Sequence, residues 1–163
     1  MTPTRNSPGT GTGKTCISLL LTISFALSSA ITWSLPEDSE QEIHISSDQA
    51  SLDRQKGLIV YTGNVEMNQG TLSIQADKVT LIRTEAGLQK VVAKGKPARY
   101  EQVLELNEPK THAYGDTIIY EAVAKELTLI KNAGLEKQGN LFSGDKIVYY
   151  INEQRVKADG KIN

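Results

Sequence analysis

The chain has 163 residues, 39% of them hydrophobic and 6% aromatic, one domain's worth of sequence with a modest core. Its 18 basic and 19 acidic residues are evenly mixed and give a net charge of −1. That balance argues against nucleic acid as the partner, because phosphate binding needs a clustered basic face.

Residues 1–30 read as an export signal. Met1 to Thr15 carries Arg5 and Lys14 and no acid, Cys16 to Leu27 is mostly apolar, and Ser28-Ser29-Ala30 offers small residues to a signal peptidase. Cleavage is expected after Ala30. The run from Ile17 to Ile31 falls short of the roughly 20 apolar residues of a membrane span, so a retained anchor is the weaker reading. Removing the signal takes away Arg5, Lys14 and the one cysteine, Cys16, and leaves 16 basic against 19 acidic residues. An exported chain without a thiol suits an oxidising compartment such as the bacterial periplasm. Gly9 to Thr15 misses the phosphate-loop pattern, since Pro8 stands where the first glycine belongs and no strand precedes it. Residues 31–41, with Pro36 and the acids Glu37, Asp38 and Glu40, are expected to form a flexible leader, and residues 42–163 the folded domain.

From Ile43 onward one pattern recurs. Ser47-Asp48, Ala76-Asp77, Gly115-Asp116 and Gly144-Asp145 open units spaced 29, 39 and 29 residues apart. A shift of 68 therefore lays His44 on His112, Asp48 on Asp116, Asn64 on Asn132 and Asp77 on Asp145 without gaps. Such an internal period implies repeats that stack on their own copies. The second and fourth positions after each aspartate are Ala50/Leu52, Val79/Leu81, Ile118/Tyr120 and Ile147/Tyr149, all apolar or aromatic. The returning runs present Ile59/Tyr61, Val91/Ala93, Leu127/Leu129 and Val156/Ala158. Period-two spacing puts each pair on one face, so every unit reads as a β-hairpin with one apolar face. Val65/Met67, Leu72/Ile74 and Ala98/Tyr100 lie between the units and are expected to form an opposite wall.

Thr84 to Gln89 and Asn107 to Thr111 are expected as irregular surface loops, and Gly63, Gly70, Gly95, Gly134, Gly139 and Gly160 as strand ends or bends. The strand of the fourth unit has no later partner in the sequence, an edge expected to accept a strand from another molecule. His44 and His112 are equivalent repeat positions without further ligand types beside them, so no metal site is expected. The four aspartates are too regular for a catalytic pair and are expected to accept backbone hydrogen bonds at a corner of each unit; no catalysis and no cofactor are expected. What remains is the apolar face, readable as an ordinary dry core or as a groove for lipid.

The segments IHISSDQASLD, YTGNVEMNQGTLSIQADKV, GKPARYEQ and GDKIVYY resemble the OstA-like family of lipopolysaccharide transport proteins, from about Ser39 to Ala158. Lys131-Asn132 departs from the Gly63-Asn64 corner, and the sequence ends without the longer tail such proteins often have. The resemblance implies an all-β fold, the OstA-like twisted β-jelly roll, V-shaped in section and built of antiparallel hairpins, whose apolar interior holds lipopolysaccharide acyl chains. It also implies a like-folded inner-membrane C component at the N-terminal edge, an outer-membrane D component at the C-terminal edge, and head-to-tail copies of the chain itself. Alternation and matching motifs together nominate Ile43, Ile45, Leu52, Ile59, Tyr61, Leu72, Ile74, Leu81, Tyr100, Ile118, Tyr120, Leu129 and Tyr149 as lipid-binding, with Ser39 near the mouth. The anchored C component of the same pathway and a purely structural β-repeat protein with a closed core are the competing readings.

Overall fold

The structure, a computed structural model, describes residues 38–105 and 107–160. The expected signal, its cleavage site and the leader as far as residue 37 lie outside the described residues. A single 3-10 turn, Asp38–Glu40, leads into nine strands: β1 (Ile43–Ser46), β2 (Gln49–Asp53), β3 (Leu58–Gln69), β4 (Leu72–Thr84), β5 (Gly87–Gln102), β6 (Thr111–Glu121), β7 (Glu126–Lys137), β8 (Asn140–Tyr150) and β9 (Arg155–Asp159). All pair antiparallel with their sequence neighbours from β3 to β9, while β1 and β2 both pair with β3.

The strands are too long to stay straight. Register slips fall between Thr62 and Val65 in β3, Gln75 and Lys78 in β4, Lys94 and Ala98 in β5, Tyr114 and Thr117 in β6, and Ile130 and Ala133 in β7. Each slip bends its strand. Because the slips sit side by side, the whole sheet folds along one line into two walls. The edge goes further and breaks at Ser47-Asp48, which separates β1 from β2.

The four hairpins of the repeat make the first wall: β2 with the start of β3, then the paired halves of β4/β5, β6/β7 and β8/β9. The pieces read as lying between the units make the second. The bends repeat as the sequence does. Asn64 Nδ2 donates to Asp48 Oδ2 at 3.0 Å, and Asn132 Nδ2 donates to Asp116 Oδ1 at 3.0 Å. These two aspartates accept from an asparagine side chain, where backbone donors had been expected. Gly63 has φ 83°, and Lys131, its equivalent, takes φ 61°. Lysine thus holds the left-handed corner at a cost of about 1–2 kcal/mol relative to a right-handed conformation.

Three local expectations change. Thr84 pairs with Gly87, so the loop expected from Thr84 to Gln89 is a tight turn of two residues. Gly134 is mid-strand, not at a bend: a Cβ there would meet the ring of Tyr114, its cross-strand partner, at 2.1 Å. Asp38, read as part of a flexible leader, is held to the body: it accepts from Thr71 N at 2.7 Å, Thr71 Oγ1 at 2.7 Å and Gln102 Nε2 at 2.6 Å.

Candidate functional site: an apolar trough between two walls

Directly opposed residues of antiparallel strands share a face, and pairing by pairing this builds continuous rows. On the first wall Leu52, Ile59, Leu81, Val91, Tyr120, Leu127, Tyr149 and Val156 are successive cross-strand partners. A second row runs parallel to it through Ala50, Tyr61, Val79, Ala93, Ile118, Leu129, Ile147 and Ala158. The second wall answers with Ile45, Met67, Ile74, Tyr100, Ala113, Leu135 and Phe142. The rows face one another: Tyr100 of the second wall and Tyr120 of the first have ring centroids 6.4 Å apart at 46°.

Of the nominated residues, Leu72, Ile74, Leu81, Tyr100, Ile118, Tyr120, Leu129 and Tyr149 are buried between the walls. Ile43, Ile45, Ile59 and Tyr61 are half-buried and pack against them. Leu52 is on the expected face but 55% exposed. The reason is topological, since β2 is an edge with no strand beyond it among the described residues. Ser39 lies in the 3-10 turn, and its side chain is outside the described part. Leu135 and Phe142 escaped notice although the 68-residue shift carries Met67 and Ile74 onto them.

The trough is shut. Tyr100, Tyr149, Met67 and Leu72 are among the large side chains almost wholly removed from water, so the interior is filled by its own groups. Polar fittings line the rims. Tyr100 donates its hydroxyl to Gln102 Oε1, which leads to Asp38. Burial holds the Tyr100 phenol well above its ordinary range, with Tyr120, Tyr149 and Asp38 adding to the effect. Lys137 Nζ donates to Tyr149 Oη at 3.0 Å and sits 5.4 Å over that ring. Partial burial works against its charge, but the Tyr149 hydroxyl and the Glu105 carboxylate outweigh that and raise its pKa. A cleft of about 310 Å³ interrupts the rim between Gln69 on one side and Gly87, Leu88, Ala122 and Val123 on the other. Among the described residues no three or more His, Cys, Asp or Glu side chains gather as metal ligands, and His112 Nδ1 lies 3.4 Å from Glu101 Oε1.

A folded antiparallel sheet whose walls enclose unbroken apolar rows, with both edges unpaired among the described strands, defines a twisted β-jelly roll. The chain belongs to the family described as LptA/(LptD N-terminal domain) LPS transport protein, which matches residues 44–155. It is 38% identical to the lipopolysaccharide export system protein LptH of Pseudomonas aeruginosa over 86% of this chain and 81% of that protein. It is 36% identical to the lipopolysaccharide export system protein LptA of Escherichia coli K12 over 90% and 80%, respectively. The crystal structure of Pseudomonas aeruginosa LptH, titled the LptA homologous periplasmic component of the conserved lipopolysaccharide transport device, superposes with a TM-score of 0.72 at 39% identity, covering 77% of this chain and 87% of that one.

Proposed function

We propose that this chain is a periplasmic carrier of lipopolysaccharide, a segment of a protein bridge that moves the lipid from the inner to the outer membrane for outer-membrane assembly. The observation that carries this reading is the continuity of the apolar rows from β2 to β9. Each acyl methylene left in water costs about 0.8 kcal/mol, so a chain of about a dozen carbons costs on the order of 10 kcal/mol. A lane with no polar break removes that cost along its whole length. Hydrophobic attraction is non-directional, so neighbouring positions hold the chain with similar energy and the lipid slides without a chemical step. The protein acts as a conduit and not as an enzyme.

The edges suit the partners. β1 and β2 at one end and β9 at the other lack an outer neighbour among the described strands, and a strand edge is a template for another chain. A like-folded inner-membrane C component fits the N-terminal edge and an outer-membrane D component the C-terminal edge. A second copy joined head to tail extends the rows in the same way. The nominated side chains from Ile43 to Tyr149 form the lipid-contacting surface, with Ser39 at the mouth.

Mass spectrometry of protein purified from its own periplasm tests the reading. A carrier brings lipid A species with it, whereas a closed structural core brings none. Photo-crosslinking from Ile43 and Tyr120 adds position: adducts to lipopolysaccharide are expected at both, and to a neighbouring protein at Ile43.

A further inference from the structure

We infer that the connection between β5 and β6 is a clasp across the mouth of the trough, with Glu105 as its latch. The topology puts the two ends of the clasp on different walls. Residues 103–105 and 107–110 leave the rim of the second wall, where Gln102 pairs with Thr111. The turn between β8 and β9, which carries Gln154, belongs to the rim of the first wall. Gln154 Nε2 donates to Glu105 Oε1 across the gap. The same carboxylate oxygen lies 3.5 Å from Lys137 Nζ on the second wall, and Lys137 in turn reaches Tyr149 on the first. The clasp is built, not draped. Glu108 N donates to Glu105 O at 3.2 Å and so turns the connection. Glu108 Oε2 accepts from Gln138 Nε2 at 3.0 Å, and Leu104 packs on the core between the rims.

The clasp acts because the trough is filled. An acyl chain enters only if the walls part, and parting them beside β7 to β9 breaks the bonds of Glu105 to Gln154 and of Lys137 to Tyr149. Further along the mouth the rims are separated by the 310 Å³ cleft at Gln69, Leu88 and Val123. Opening therefore starts at the cleft and runs toward the clasp, so Glu105 sets how far and how often the C-terminal half of the trough opens. The ligand side of this inference rests on the carrier reading; the clasp itself does not.

Two variants test it. Glu105→Ala removes the latch from a half-exposed side chain without touching the core, and Glu105→Cys with Gln154→Cys supplies two thiols that a reducible bis-thiosulfonate reagent can tie across the mouth. In lipid-free protein, Glu105→Ala is expected to speed amide hydrogen exchange at residues 137–140 and 150–155 by about fivefold, the factor set by one exposed ion pair and one hydrogen bond. Uptake of a fluorophore-labelled lipid A should accelerate in the same variant, fall at least tenfold in the crosslinked pair, and recover on reduction. Unchanged exchange in Glu105→Ala overturns the clasp, as does a crosslinked pair that loads as fast as the reduced one. A wild-type protein that takes up no lipid A overturns the carrier reading instead, while exchange still decides the clasp.

Discussion

Leu52→Asp separates folding from loading at one end of the trough. Leu52 heads the first apolar row but is 55% exposed, so it contributes less than half of the roughly 1.5–3 kcal/mol that full burial of a leucine provides. Its loss should cost about 1 kcal/mol. The new carboxylate is tolerated in the lipid-free protein, because it stays largely in water and Arg54 and Arg83 line the same hollow beside Glu85. An acyl chain laid over it must strip water from a charge, a penalty of several kcal/mol, so occupancy there should fall by at least about thirtyfold. Urea unfolding should show a slightly lower midpoint with an unchanged slope, and crosslinking from Ile43 to lipopolysaccharide should vanish while crosslinking from Tyr120 persists. A folded Leu52→Asp protein with undiminished lipid contact at Ile43 removes this residue from the lane. A loss above about 3 kcal/mol would refute the exposure on which the reasoning stands.

Leu129→Ala, at a fully buried position in the middle of the second row, should cost about 2–5 kcal/mol in the same urea assay, several times the Leu52 effect. Lys131→Gly should stabilise by about 1 kcal/mol, since the residue already sits at φ 61°. Asn132→Ala should cost about 1 kcal/mol by leaving Asp116 without its 3.0 Å donor, and Asn64→Ala should match it through Asp48. Tyr100 governs the alkaline limb: its folded pKa lies above the unfolded value, so its contribution is intact below pH about 10 and declines as pH rises from there toward the folded pKa. Tyr100→Phe should flatten that decline, read from thermal unfolding across the alkaline range beside an ultraviolet titration of the phenols.

The repeat was legible in the sequence because it carries the bends as well as the strands. Asp48 and Asp116 were predicted to be equivalent, and each meets an asparagine 16 residues later at the same distance. Face assignment followed from alternation alone, as the row from Leu52 to Val156 shows strand by strand. Coverage did not follow. Alternation says which way Leu52 points but not that the sheet ends beside it, and exposure depends on what lies beyond. Gly134 was misread for a related reason: a glycine inside a strand and one at a bend look alike until the ring of Tyr114 is placed over it. Least legible were the polar fittings. The bonds from Asp38 to Thr71 and Gln102, and from Glu105 to Gln154, join residues 33 to 64 positions apart through loops with no periodicity to betray them.

A trough that is shut when empty is what its composition demands. Rows of leucine, isoleucine and tyrosine held apart in water would expose apolar surface at about 25 cal/mol per Å², so unloaded walls collapse onto each other. In the proposed carrier, loading would exchange one apolar covering for another: the contact between Tyr100 and Tyr120 would give way to contacts with acyl methylenes, and the hydrophobic contribution would largely cancel. What does not cancel is polar: the bonds that tie one rim to the other across the mouth. The cost of opening is thus concentrated in a few rim residues, while the interior stays nearly indifferent to whether side chains or lipid fill it. Eight strands at about 4.8 Å spacing give a lane of roughly 34 Å, close to the roughly 30 Å hydrocarbon core of a bilayer. In the proposed carrier, the described strands of one copy would therefore cover lipid over about one membrane thickness, and a longer path would need the rows to continue beyond Val156 and Ala158.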